Sequence, residues 1–263
     1  MAKTVLIAGK EMPAGSKFAD GMALSKRSIS ITTNELQEKN DDEERSAQIT
    51  EAAGISLVEW HKSSPISSRT VILGTESVLG KMDEAVLYFD EEWFASHEGR
   101  FSSNECSRGC DELILPFQCL TREVLSRFET KNSSGTPGVL VFLFKEAPDL
   151  VDTLRTPALR SGSEAIASPV VAAAASAFVI FAENIAAQYG NNSFVNIILA
   201  RGGDGNETSS SDVEFGKWLA SYLDDFEATG AKMDAKTSCE WVKAGTRYGS
   251  GGFSLFGRKK RER

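Results

Sequence analysis

Four stretches of this sequence carry side chains of the kind that do chemistry near neutral pH. The first is Asp90-Glu91-Glu92, followed by His97. Carboxylates beside an imidazole perform acid–base work or hold a metal, although such a run also reads as a solvated loop. The second is Lys145, directly after the apolar run VLVFLF, with Arg201 in the loop ARGGDGNET (200–208). Lys145 suits neutralisation of a phosphate, or a pair with Glu146 or another nearby acid. Arg201 suits an anion, or plain solvation. The third is Cys106 and Cys110, placed near the start of a helix, where thiolates gain stability. The fourth is TVLIAGKEMPAG at the start of the chain, an apolar strand running into Gly9, then Pro13 and Gly15, then a helical pattern. A strand, a glycine turn and a helix N-terminus together form an anion cradle.

A metal centre is not expected. The four cysteines include one C-x3-C pair, with Cys119 and Cys239 apart from it and no second pair at zinc spacing, and His61 and His97 are the only histidines. Reduced thiols are the expectation.

The elements that must position these residues alternate. Strand-like runs fall at Thr4–Ala8, Ser28–Thr32, Ile55–Trp60, Ala85–Phe89, Val139–Phe144 and Phe194–Leu199, with a short one near Cys239–Val242. Helical patterns lie at Ser16–Ser25, Ser67–Leu79, Cys106–Phe128, Val170–Tyr189 and Val213–Phe226. Strand–helix alternation implies right-handed crossovers and a parallel sheet covered on both faces. The continuous apolar runs VLVFLF and VNIILA suit strands buried on both sides. The fold class is therefore α/β, a doubly wound parallel sheet of about seven strands. Residues 1–248 are expected to form one such domain, and 249–263 a flexible tail, glycine-rich and then basic. Asn34–Ser46 is polar and acidic and suits an exposed helix or loop.

Bulk properties narrow the function. The chain has 263 residues, 41% of them hydrophobic and 25% charged, with a net charge of −8. The tail Arg258–Arg263 carries five positive charges and one negative, so the body is more acidic still. Such a body excludes a basic nucleic-acid-binding face. The tail suits an acidic partner or surface, or simple solvation. No apolar run approaches the ~20 residues of a membrane span. The N-terminus lacks the apolar core of a secretory signal, so a cytoplasmic location is expected.

From Thr4 to about Gly245 the chain resembles the short-chain dehydrogenase/reductase superfamily. The likeness is carried in order by TVLIAGKEMPAG, DEAVLYF, CLTREVLSRF, TPGVLVFLF, AASAFVIFAENIAAQYGNNSFVNIILARGG and CEWVKAG. The passage ENIAAQYG…FVNIILA has the rhythm with which these enzymes pass from catalytic helix to sixth strand. The resemblance implies a Rossmann-like fold, NAD or NADP across the carboxyl edge of the sheet, and hydride transfer by an Asn–Ser–Tyr–Lys set. It also implies dimers or tetramers paired through two long helices, here 106–128 and 170–189.

The departures are specific. Against the family's T-G-x-x-x-G-x-G, this chain reads A-G-K-E-M-P-A-G: Gly9 and Gly15 stay, while Pro13 replaces the middle glycine and removes an N–H donor. At the end of the second strand, Thr32 and Thr33 stand where an acidic residue would grip the ribose. Lys10 could meet a 2′-phosphate. The four catalytic positions fall on Leu113, Phe144, Val171 and Ala175, none of which moves a proton. The expectation is an oligomeric binding, assembly or regulatory protein without ordinary dehydrogenase activity and with no cofactor. The alternative is an NAD(P)-dependent oxidoreductase with non-standard catalytic residues. In that case Gly9, Lys10, Gly15, Thr32 and Thr33 are the cofactor contacts.

Overall fold

In β1 (Lys3–Gly9), Val5 to Ala8 are all fully buried, which requires protein on both faces of the strand. Burial also runs along β4 (Glu84–Asp90), its neighbour on one side, and along β5 (Gly138–Lys145), next beyond it, as far as Phe144. The computed structural model describes residues 2–34, 54–97, 101–132, 135–148, 168–203, 205–230 and 235–249. The acidic stretch after Asn34 and the basic tail lie outside them.

Seven parallel strands form one sheet in the order β3-β2-β1-β4-β5-β6-β7, completed by β2 (Arg27–Thr33), β3 (Ile55–Glu59), β6 (Val195–Gly202) and β7 (Trp241–Lys243). The register sets Ile7 beside Ile31 and Val86, and Asp90 beside Lys145. Strand order reverses between β1 and β4. In open α/β sheets, ligands bind in the crevice outside the carboxyl ends of strands at such a reversal.

Side chains alternate between two cores. Leu6, Leu87, Phe89, Phe142 and Leu199 pack on α2 (Pro65–Leu79), α5 (Leu115–Asn132) and α6 (Pro169–Tyr189). Val5, Ile7, Tyr88, Val141 and Ile198 face the opposite layer, α1 (Ser16–Ala23) and α8 (Asp212–Ala228). Between β4 and α5 lie α3 (Glu91–Ser96), α4 (Ser103–Gly109) and a π-helical turn, Cys110–Ile114. Short helices α7 (Glu207–Ser210) and α9 (Ala235–Ser238) flank α8. The expected single helix over 106–128 is therefore interrupted by a wider turn.

Helices α1 and α8 approach so closely that both crossing residues are glycine. A Cβ on Gly21 would stand 2.2 Å from the Val213 carbonyl oxygen, and one on Gly216 2.2 Å from that of Phe18. This contact fixes the start of α8 over the carboxyl edge.

Helix α6 spans 21 residues with a mean hydropathy of 1.9, long and apolar enough by composition to cross a membrane, contrary to the expectation that no such run exists. Here it joins two hydrogen-bonded strands and buries Val171, Ala174, Ala175, Phe178, Ala182 and Ala186 against the sheet. It therefore acts as a crossover helix. Its outer face exposes Ala172, Ala173, Ser176 and Ile180.

Candidate functional site

The loop from β1 to α1 is tied to the protein itself. Gly9 sits at φ +118°, where side chains are strained, and a Cβ there would meet the Tyr88 carbonyl oxygen at 2.2 Å. A Cβ on Gly15 would meet the Lys10 carbonyl oxygen at 2.4 Å. Both glycines are thus required by chain packing, with or without a ligand. Four of the loop's N–H groups are already spent: Lys10 donates to Tyr88 O at 3.0 Å, Met12 to Thr32 O at 3.1 Å, Gly15 to Glu11 O at 2.7 Å and Ser16 to Pro13 O at 3.1 Å. Pro13 has none to give.

Across the carboxyl ends of β1, β4 and β5 lies a square of opposite charges. Lys10 Nζ donates to Asp90 Oδ2 at 2.7 Å and to Asp212 Oδ2 at 2.6 Å. Lys145 Nζ donates to Asp212 Oδ1 at 3.0 Å and lies 3.5 Å from Asp90 Oδ2. The strand ends supply Lys10, Asp90 and Lys145, and the first turn of α8 supplies Asp212. Asp90 also caps α3, its Oδ1 accepting from Trp93 N at 3.1 Å. The two lysines balance the two aspartates, which is the condition for burying charge at bearable cost.

Tyr88 completes the cluster. Its hydroxyl lies 3.3 Å from both Asp90 Oδ2 and Asp212 Oδ1 and donates between them. Burial, then the charges of Asp90 and Asp212, push this phenol well above its ordinary value. A tyrosine that gives its proton to a reacting oxygen needs the opposite, a neighbouring cation that lowers it. Burial alone would lower the Lys145 ammonium, but Asp90 and Asp212 outweigh it and hold it above its usual range. Burial would raise Asp212, but Lys10 and then Lys145 outweigh it and hold the carboxyl low. Both groups stay charged across the neutral range.

Of the residues expected to grip a cofactor, Lys10 is inside this square, its ammonium committed to Asp90 and Asp212. Thr32 and Thr33 are buried, and each backbone carbonyl accepts within the fold, from Met12 N and Trp60 N respectively. The four positions matched to the catalytic set, Leu113, Phe144, Val171 and Ala175, are all packed in one apolar core. The run Asp90-Glu91-Glu92-His97 is divided: Asp90 joins the square, Glu91 Oε2 accepts from Ala147 N at 3.1 Å, Glu92 faces solvent and His97 lines a pocket of the same cleft. Lys145 pairs with acids, but not with Glu146, which instead takes Arg201 at 2.7 Å. Cys106 and Cys110 are free and exposed on α4 and the π turn, and no metal-binding group is found among the described residues. Asp212 and Tyr88 carried no expectation of a role.

The residues present do not fit a dinucleotide in the usual manner. Four of the loop's N–H donors are bonded internally, β2 ends on Thr32 and Thr33 with no carboxylate between them, and the crevice between β1 and β4 is bridged by Lys10 and Asp90.

No protein-family model and no curated protein sequence matches the chain. Solved structures do. A short chain dehydrogenase from Mycobacterium smegmatis is 15% identical, with 93% of this chain and 92% of that one covered and a TM-score of 0.64. A 3-oxoacyl-[acyl-carrier protein] reductase from Brucella melitensis, in complex with NAD, is 12% identical over 91% and 97%, with a TM-score of 0.60. An NADH-dependent reductase, A1-R′, responsible for alginate metabolism, is 13% identical over 92% and 95%, with a TM-score of 0.58. This chain has the fold of the short-chain dehydrogenases and reductases over nearly its full length.

Proposed function

We propose that this chain uses a dehydrogenase fold without ordinary hydride transfer, as an oligomeric binding or assembly protein. The observation that carries this reading is the Lys10–Asp90–Asp212–Lys145 square, which lies where a cofactor would enter. Support comes also from Tyr88, shifted in the direction that disfavours proton donation, and from apolar residues at the four matched catalytic positions. Each absent acid–base group costs ~10²–10⁴ in rate. The oligomer proposed is a two-fold dimer or a tetramer through helices 106–128 and 170–189. The exposed small residues of α6 would let two such helices approach closely.

The second reading, an NAD(P)-dependent oxidoreductase with relocated catalytic residues, is the one the structural likenesses favour, since the neighbours are named as dehydrogenases and reductases. At this identity they bear on fold, and the residues of this chain's own cleft weigh the other way. A thermal-shift titration with NAD(H) and NADP(H) separates the readings. No rise in melting temperature up to millimolar cofactor is expected. A saturable rise, followed by turnover of ketones or alcohols that mutation in the cleft abolishes, would establish the second reading.

A further inference from the structure

Away from the cleft, two thiols stand within reach of one another. Cys106 and Cys110 are both free and exposed, on α4 and at the start of the π turn that continues it. The Cys110 N–H donates to the Cys106 carbonyl oxygen, so the two residues are one helical turn apart and share a face. No third cysteine is in reach among the described residues. Cys119 is nine residues beyond Cys110, roughly 13 Å along the helix. Cys239 lies 4.0 Å from the Glu183 carbonyl oxygen, and Glu183 is thirteen residues along α6 from Val170, the residue that meets α4, roughly 20 Å away.

Side chains one turn apart on a helix have Cβ atoms ~5–6 Å apart, whereas a disulfide needs ~3.5–4.5 Å. An unbroken helix therefore holds this dithiol open by roughly 1–2 Å, and the turn must yield to close it. The backbone here is suited to yielding. α4 ends at Gly109, between the two cysteines, and the wide turn begins at Cys110 itself. Such turns gather at functional sites. The Cys110 N–H is shared between the carbonyl oxygens of Cys106 and Ser107, so losing the first bond leaves the donor its second. The Cys106 carbonyl, on an exposed residue, can then turn to water. Gly109 is buried, and a Cβ on it would stand 2.2 Å from Val170 Cγ1, so a shift in this turn bears on the start of α6.

We propose that Cys106 and Cys110 form a dithiol that hydrogen peroxide closes to a disulfide and glutathione reopens. One sulfur attacks peroxide and becomes a sulfenic acid, releasing one water; the other then displaces the sulfenic oxygen as a second water. Two thiols and one peroxide thus give one disulfide and two waters, with two electrons passing from the sulfurs to peroxide. Glutathione returns them by exchange through a mixed disulfide. A strained, exposed disulfide is of the reducible kind, because the helix regains its turn on opening. The inference involves no group of the cleft and holds under either reading of it.

The test is peroxide treatment of the full chain followed by trypsin and mass spectrometry. Arg108 lies between the two cysteines, so cleavage after it parts 101–108 from 109–122 unless a disulfide joins them. The joined pair should form, fragmentation should place the link at Cys110 rather than Cys119, and glutathione should remove it. Both side chains are exposed, so Cys106→Ser and Cys110→Ser should fold as the parent does. In each variant the remaining sulfenic acid has no partner, and its dimedone adduct should be about tenfold or more above the parent's. Absence of the joined pair, a link to Cys119, Cys239 or a second chain, a link that glutathione leaves intact, or equal dimedone adducts would each overturn the proposal.

Discussion

Two buried ion clusters tie helix α8 to opposite ends of the same sheet. At the amino edge, Arg27 donates from Nε to Glu84 Oε2 at 2.8 Å and from Nη2 to Asp224 Oδ1 at 2.8 Å. Lys3 bridges Glu84 at 3.1 Å and Glu227 at 2.6 Å. At the carboxyl edge stand Lys10, Asp90, Asp212 and Lys145. The chemistry is alike, but the settings differ. Asp224 and Glu227 keep about half their side-chain surface in water, whereas Asp90 and Asp212 are 2% and 12% exposed. The amino edge of such a sheet has no ligand to hold, and its cluster is explained by folding alone. The carboxyl edge is where this fold binds ligands, and there the protein's own charges span the crevice. Ion clusters of like chemistry thus carry different functional meaning according to which end of the strands they occupy.

The largest effect should come from breaking each cluster at its buried cation. Arg27→Met leaves Glu84, 1% exposed, with only Lys3 to balance it, and should cost about 3–5 kcal/mol in urea denaturation. Lys10→Met leaves Lys145 within reach of both aspartates and should cost about 3 kcal/mol, the lower end of that range. The pair Lys10→Met with Asp212→Leu removes one charge of each sign and leaves Asp90 facing Lys145. It should recover most of the single loss, because the uncompensated charge is what costs. A loss for the pair as large as the sum of the single changes would show that the square is not acting as a balanced unit.

The pH dependence should differ in the same way. Asp212 is held below its ordinary value in the folded protein, so its contribution is present above the unfolded carboxyl's pKa and is lost as pH falls through the folded one. Lys145 is held above its ordinary value, so its contribution is complete below the unfolded lysine's pKa and is lost as pH rises through the folded one. Between these limits the square should add a constant stability. The gap between parent and Asp212→Asn should be flat near neutrality and shrink in acid, as measured by denaturant midpoints at several pH values. A gap that varies through the neutral range would implicate a different titrating group.

Much of the fold was legible in the sequence because burial on both faces leaves apolar runs with no alternation. VLVFLF and VNIILA became the middle of the sheet, and every expected strand appears within a few residues of its place. The last strand shifted to Trp241–Lys243, where the preceding residues close a short helix instead. The site was legible only in part. Lys10, Asp90 and Lys145 were each visible as chemistry-bearing residues, and a parallel sheet brings all three strand ends to one edge. Their fourth member, Asp212, is 202 residues from Lys10, and no local pattern links them. The π turn left no mark either. Widening a helix by one residue changes the face that Glu112 presents without changing composition.

The smallest effect tests whether position on the carboxyl edge is enough to give a charge weight. Arg201 lies near the end of β6, in register beside Phe144, one residue from the square's own Lys145, and reads in sequence as an anion binder or a solvated side chain. In the fold its Nη2 meets Glu146 Oε2 at 2.7 Å, with 37% and 50% of the two side chains in water. Water screens such a pair and two long side chains must be held still to make it, so its net worth is about 0–1 kcal/mol. Arg201→Ala should therefore move the urea midpoint little, and Arg201→Ala with Glu146→Ala no further. If the single change instead cost as much as Lys10→Met, the exposed rim would be coupled to the square. Burial would then be the wrong measure of which charges close the crevice.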